Sequence, residues 1–168
     1  TGEEVDPKEV QNLVHRVAGE IDADYETVQT APGFQRFRLI RDNESELVDV
    51  VIDRAPQLDA EKTSIGGIRV DTPREIIANK LATLLSRAET KDLVDLYFLE
   101  QAGHDLLAAI PDAKAKDGGW EPAMVSMLLD SLQCTELPPF LLRNLAPKDL
   151  ESFIDRLRLA IAELALPE

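Results

Sequence analysis

The sequence predicts an α+β protein: one early helix, a run of strands, then helices to the end. Three observations carry this prediction. Val10, Leu13, Val14, Val17 and Ile21 recur at helical spacing. From Tyr25 to Val70 the apolar residues alternate instead, with β-branched and aromatic types concentrated. After Thr72 the helical period returns. Strands and helices do not alternate along the chain, which favours a mixed or antiparallel sheet with flanking helices over a doubly wound one. The chain therefore divides into an α/β part, residues 1–71, and a helical part, residues 72–168.

Each element has its own signals. Asp6-Pro7-Lys8-Glu9 is a capping box with proline at the first helical position, opening a helix that ends near Ile21. Tyr25–Gln29 reads as a strand broken by Ala31-Pro32-Gly33. Phe34–Ile40 and Glu46–Asp53 read as a hairpin around the polar loop Asp42-Asn43-Glu44-Ser45. Residues from Arg54 to Ser64 read as loop, and Gly67–Val70 as a short strand. Thr72-Pro73-Arg74-Glu75 repeats the capping-box pattern and starts a helix to about Ser86. Thr90 is expected to cap the next, which runs to about Gln101 and stops at Gly103. Further helices are expected near His104–Ala113, Pro122–Gln133 and Pro147–Ala165, with breaks at residues 116–119 and 137–139.

Composition narrows the function. Apolar residues make up 44% and charged residues 30% of 168, the profile of a globular protein able to bury a core. No apolar run approaches the roughly 20 residues of a membrane helix, so no membrane partner is expected. The acidic, polar opening carries no signal peptide. The single cysteine, Cys134, cannot form an internal disulfide, and a reduced cytoplasmic setting is expected. A net charge of −14 argues against a broad nucleic-acid surface. It leaves room for a local basic patch, or for a small anion held through a metal. His15, His104 and Cys134 lack metal-ligand spacing. There is no Gly-rich phosphate loop and no Gly-x-Ser-x-Gly.

Four places carry candidate chemistry. In Glu46–Asp53, Val48, Val50 and Ile52 share one strand face, while Asp49, Val51 and Asp53 share the other. Asp49 and Asp53 lie about 13 Å apart at 3.3 Å per residue and cannot share one ion. A solvated sheet face explains them as well as a site does. In the helix after Thr72, Lys80 sits within a stripe of Ile76, Ile77, Leu81, Leu84 and Leu85. A lysine there must snorkel or meet an anion. In the following helix Asp92 and Asp95 lie one turn apart near the positive helix end, which stabilises carboxylates. If the two helices form a short hairpin, Lys80 meets Asp95, with Arg87 and Lys91 beside the connection. Trp120, after Gly118-Gly119, reads as a packing anchor.

The stretch Val70–Leu99, with Lys80, Arg87 and Lys91-Asp92-Leu93-Val94-Asp95-Leu96, resembles the signature of AbiEii/AbiGii-type nucleotidyltransferases, toxins of toxin–antitoxin systems. Glu46–Asp53 is similar to that family's carboxylate-bearing strand, with Asp49 at the matching position. The resemblance implies a partial nucleotidyltransferase-like sheet followed by a helical part. It also implies transfer of a nucleoside monophosphate from a nucleoside triphosphate to tRNA or protein. Mg²⁺ is the implied cofactor, with Asp49 a metal ligand. Lys80 and Asp95 are then catalytic, Arg87, Lys91 and Asp92 substrate-binding, and a cognate antitoxin a partner. The family pattern also holds a Gly-Gly or Gly-Ser turn followed by an Asp-x-Asp strand. This sequence has no such turn and strand. Asp22-Ala23-Asp24 has the letters but follows a helix without the glycines. The expectation is therefore a fragment, inactive by itself. The alternatives are a degenerate, non-catalytic member that binds a partner, or a plain α+β domain in which Lys80–Asp95 is a structural ion pair.

Overall fold

A computed structural model of the chain describes residues 6–52, 55–132, 137–138, 141 and 143–166. Asp53, Cys134, Pro139 and the expected helix end at Gln133 lie outside these residues. The described elements are six α-helices and two small antiparallel sheets, the α+β class the sequence predicts. Contacts divide the chain into two compact units, Thr1–Arg54 and Ala55–Glu168.

The first unit is a helix on a three-stranded sheet. Helix α1 spans Pro7–Glu20; the Asp6 carboxylate accepts the Lys8 N–H at 2.9 Å and satisfies one orphan donor of the first turn. Strands β1 (Asp24–Ala31), β2 (Phe34–Arg41) and β3 (Glu44–Val51) pair antiparallel in the order β1-β2-β3, with a bulge between Thr27 and Gln29. Val10 and Val14 of α1 pack on Phe37, and Tyr25, Leu39, Val48 and Val50 close around them. The alternation in β3 thus faces the expected way.

The turns are tighter than the sequence suggests. Pro32-Gly33 joins β1 to β2, with Gly33 at φ 76°, where a Cβ is strained. Between β2 and β3 the loop is two residues, Asp42-Asn43, not four, with Asp42 at φ 55°. Asp tolerates this left-handed conformation better than most side chains, so the strands extend to Arg41 and Glu44.

The second unit opens with a hairpin, β4 (Thr63–Ile65) and β5 (Ile68–Val70), around Gly66 and Gly67 at φ 59° and 82°. Two glycines of positive φ make the tight turn that strand twist favours. The expected loop therefore ends earlier, and β4 is an additional strand. Helix α2 (Pro73–Arg87) is capped by Thr72, whose hydroxyl accepts the Glu75 N–H at 3.1 Å. Helix α3 (Thr90–Gln101) begins one residue sooner than expected: Glu89 is its N-cap, without a side-chain bond, and Thr90 is already helical. The expected helix near 104–113 is a 3₁₀ turn, Leu107–Ala109, followed by α4 (Ile110–Lys116). Asp105 holds the turn by accepting the Leu107 and Ala108 N–H groups. Helices α5 (Pro122–Ser131) and α6 (Pro147–Glu163) complete the unit.

Its core joins Ile77, Leu81 and Leu84 of α2 to Leu93 and Leu96 of α3 and to Phe153, Leu157 and Ile161 of α6. Trp120 is buried, and its indole N–H donates to the Leu81 carbonyl at 2.8 Å. That bond fixes α2, the helix that carries Lys80.

Candidate active site

Lys80 lies on the side of α2 that faces α3. The Ala88-Glu89 connection is short enough to bring the first turn of α3 back against it. The Lys80 ammonium donates to Asp92 Oδ1 at 2.8 Å and meets Asp95 Oδ2 at 2.5 Å. Arg87 Nε stands 3.5 Å from Asp92 Oδ2. The helical repeat sets Asp92 and Asp95 one turn apart on one side of α3, so both reach the same cation.

Burial grades sharply across this cluster. The Asp92 side chain is 0% exposed, Lys80 22%, and Asp95 and Arg87 50% each. Asp92 Oδ1 is satisfied by Lys80, but its Oδ2 is buried without a hydrogen bond. Such a carboxylate is tolerated because two cations adjoin it and the N-terminal end of α3 stabilises negative charge. Burial works against the charge on Lys80, yet its hydrogen bonds to Asp92 and Asp95 outweigh that and raise its pKa. Lys80 is therefore a fixed cation. Two of its three N–H donors are spent on carboxylates, which leaves one for an incoming anion. Asp92 meets Lys80 and Arg87 and shows no surface to solvent. Asp95 and Arg87 are open.

Lys91 pairs with Glu89 at 2.7 Å. Asp49 belongs to the first unit, on the sheet face away from α1. There it sits opposite Arg36 in register, and the guanidinium grips it with two bonds, Nε to Oδ1 at 2.6 Å and Nη2 to Oδ2 at 2.7 Å. The Arg36 hydrogen bonds hold the Asp49 carboxyl below its usual pKa. Among the described residues no three His, Cys, Asp or Glu side chains converge as a metal site.

A second ionic cluster lies outside the residues that the sequence singles out. Glu75, read there as half of a capping box, is buried at 1% exposure and pairs with Lys116 of α4, also 1%. Its other oxygen accepts the Leu58 and Asp59 N–H groups at 2.9 and 3.3 Å, while Lys116 donates to the Pro56 carbonyl at 2.8 Å. The pair staples residues 56–59 to α2 and α4. The available signal was spacing: Glu75 precedes Ala78 and Ala82 on the buried stripe, where a carboxylate needs a partner. Arg74 is gripped by Asp112 at 2.6 and 2.7 Å on the same side.

Residues 4–164 match the family described as nucleotidyl transferase AbiEii toxin, type IV toxin–antitoxin system. The chain belongs to this family. The match spans both units and includes the Lys80–Asp95 hairpin. No curated protein and no solved structure gives a match. Membership makes the chain a relative of nucleotidyltransferase toxins and implies a cognate antitoxin partner. No helix among its described residues is long and apolar enough to cross a membrane.

Proposed function

We propose that the α2–α3 hairpin is the triphosphate-contacting part of a nucleotidyltransferase site. The observation that carries this reading is a lysine fixed by a fully buried aspartate, yet part-exposed beside two open polar groups, Asp95 and Arg87. In the reaction an acceptor hydroxyl of tRNA or protein attacks the α-phosphorus of a nucleoside triphosphate. A P–O bond forms to the acceptor, the bond to pyrophosphate breaks, and the hydroxyl proton leaves to a base. Lys80 contacts the phosphates as a point charge, and Arg87 adds a second cation. Lys91 strengthens the local potential. Asp92 holds Lys80. Asp95 orients Lys80 or takes the hydroxyl proton.

Mg²⁺ neutralises phosphate charge in such reactions. The described residues do not by themselves fit a Mg²⁺ site, because that ion needs several oxygen ligands and both Asp49 oxygens are engaged by Arg36. Asp49 by itself supplies too few oxygens to hold that ion. For this reason we expect the 168-residue chain to be inactive alone. The same observation supports a second reading, a non-catalytic member that binds a partner.

Incubation with each α-³²P-labelled nucleoside triphosphate, in turn with tRNA and with protein acceptors, tests the proposal. No label is expected on either acceptor. Label transferred by this chain, and lost in Lys80→Met/Asp92→Asn, would overturn the expected inactivity while keeping the site. A chain that binds no nucleoside triphosphate at all would favour the non-catalytic reading.

A further inference from the structure

The first unit carries an apolar groove that the transferase reading does not use. Helix α1 buries Val10, Val14 and Ala18 against the sheet. Its next stripe, Leu13, Val17 and Ile21 at four-residue spacing, is 49%, 39% and 43% exposed. The stripe runs into a depression of about 300 Å³ beyond the end of α1, on the side of the sheet that α1 covers. Ile21, Ala23 and Leu39 form its apolar lining; Arg41, Glu44 and Glu46 rim it. Arg41 is drawn to one side, where its guanidinium donates to the Ile21 carbonyl at 3.3 Å.

Charge at this end is predominantly acidic. Glu20 and Asp22 flank Ile21, and Asp42 sits in the turn between Arg41 and Glu44. Glu44 and Glu46 line the groove beside the Arg41 guanidinium, and Glu20, Asp22 and Asp42 are exposed sequence neighbours of its lining residues. Neither nucleic acid nor an acidic segment fits such a rim. A segment with an apolar side chain flanked by lysine or arginine does, because apolar burial supplies affinity while the charges steer approach and fix register.

We propose that this groove docks a basic, amphipathic peptide segment of a partner protein, with an apolar side chain on Ile21, Ala23 and Leu39 and flanking cations on Glu44 and Glu46. The inference is independent of the reaction assigned to Lys80. The pairing is small and exposed, so the association is weak and salt-sensitive.

The test uses the full chain and a fluorescein-labelled peptide alternating leucine with lysine, read by anisotropy at low salt. Saturable binding is expected, weakened about tenfold, or 1.4 kcal/mol, in Ile21→Ser and in Glu44→Lys/Glu46→Lys. Glu26→Lys, on the opposite sheet face beside Arg38, should bind as the wild type does. Thermal melting of each variant separates lost binding from lost folding, since Ile21, Glu44 and Glu46 are all exposed. Equal weakening by Glu26→Lys would show attraction to the general acidic surface and overturn the proposal. So would a leucine–glutamate peptide that binds as tightly. A concentration-dependent dimer that Ile21→Ser abolishes would assign the groove to a second copy of the chain, and would also overturn it.

Discussion

Lys80 and Asp92 form an ion pair of 2.8 Å between consecutive helices, and Asp92 has no exposed surface. The pair therefore does two things at once. It fixes the lysine, and it commits the fold to keeping that lysine charged. Removing Lys80 leaves the buried Asp92 carboxylate with Arg87 alone, 3.5 Å away, whereas removing Asp92 leaves Lys80 paired with Asp95.

This asymmetry sets the first prediction. Lys80→Met should cost about 3 kcal/mol in urea denaturation, as leaving a buried charge unpaired does. The double variant Lys80→Met/Asp92→Asn should recover most of that loss. A single-variant loss below about 1 kcal/mol, the range of exposed pairs, would mean that the pair is solvated in solution.

Asp95 should behave differently, although it meets the same ammonium. It is half exposed, so Asp95→Asn should change stability by no more than about 1 kcal/mol. Removing its charge also frees Lys80, and binding of inorganic tripolyphosphate should tighten about threefold, or roughly 0.7 kcal/mol, a typical exposed-pair effect. Calorimetric titration reads this, and weaker binding would count against competition between Asp95 and phosphate.

The Glu75–Lys116 pair gives a pH prediction. Burial opposes ionisation of Glu75, but the hydrogen bonds from Lys116 and from the Leu58 and Asp59 amides prevail and lower its pKa. A carboxyl whose folded pKa lies below its unfolded one stabilises the fold fully above the unfolded value, about 4.3 for glutamate. That stability is lost as pH falls through the folded value. Denaturation between neutral pH and pH 3 should show this loss beginning near pH 4.3. Glu75→Gln/Lys116→Met should shed part of the acid slope; an unchanged slope would assign it to other carboxylates.

Gly33 offers a local test of the first unit. At φ 76° a side chain costs about 1–2 kcal/mol. Gly33→Ala should lower stability by that amount, read by chemical denaturation, and a neutral result would show that the turn adopts another conformation.

Much of the second unit was legible because its signals are local. Lys80 in an apolar stripe and Asp95 near the start of the next helix predict their meeting once the helices form a short hairpin, and they do meet. The depth of Asp92 was not legible: the helix-end preference for carboxylates explains its position without requiring burial, and only packing of Leu93, Leu96 and the α2 stripe sets how far it sinks. Glu75 was misread because Thr-x-x-Glu is a capping pattern, and nothing local signals that Lys116, forty-one residues on, claims the carboxylate. The β4–β5 hairpin was half-read, since three-residue strands give almost no alternation to detect. The Asp42-Asn43 turn looked longer because Glu44 and Ser45 are polar, though both lie on an exposed strand. Asp49 was placed on the correct strand face, while its Arg36 partner depends on cross-strand register that the loop length had misjudged.

The most direct measurement is calorimetric titration of the wild-type chain and of Lys80→Met/Asp92→Asn with inorganic tripolyphosphate, after melting curves establish that the two are equally folded. If Lys80 is the phosphate contact, the wild type binds and the variant loses at least about tenfold in affinity, or 1.4 kcal/mol. Equal affinity in two folded proteins would contradict the assignment and leave the Lys80–Asp92 pair a structural feature of the α2–α3 hairpin.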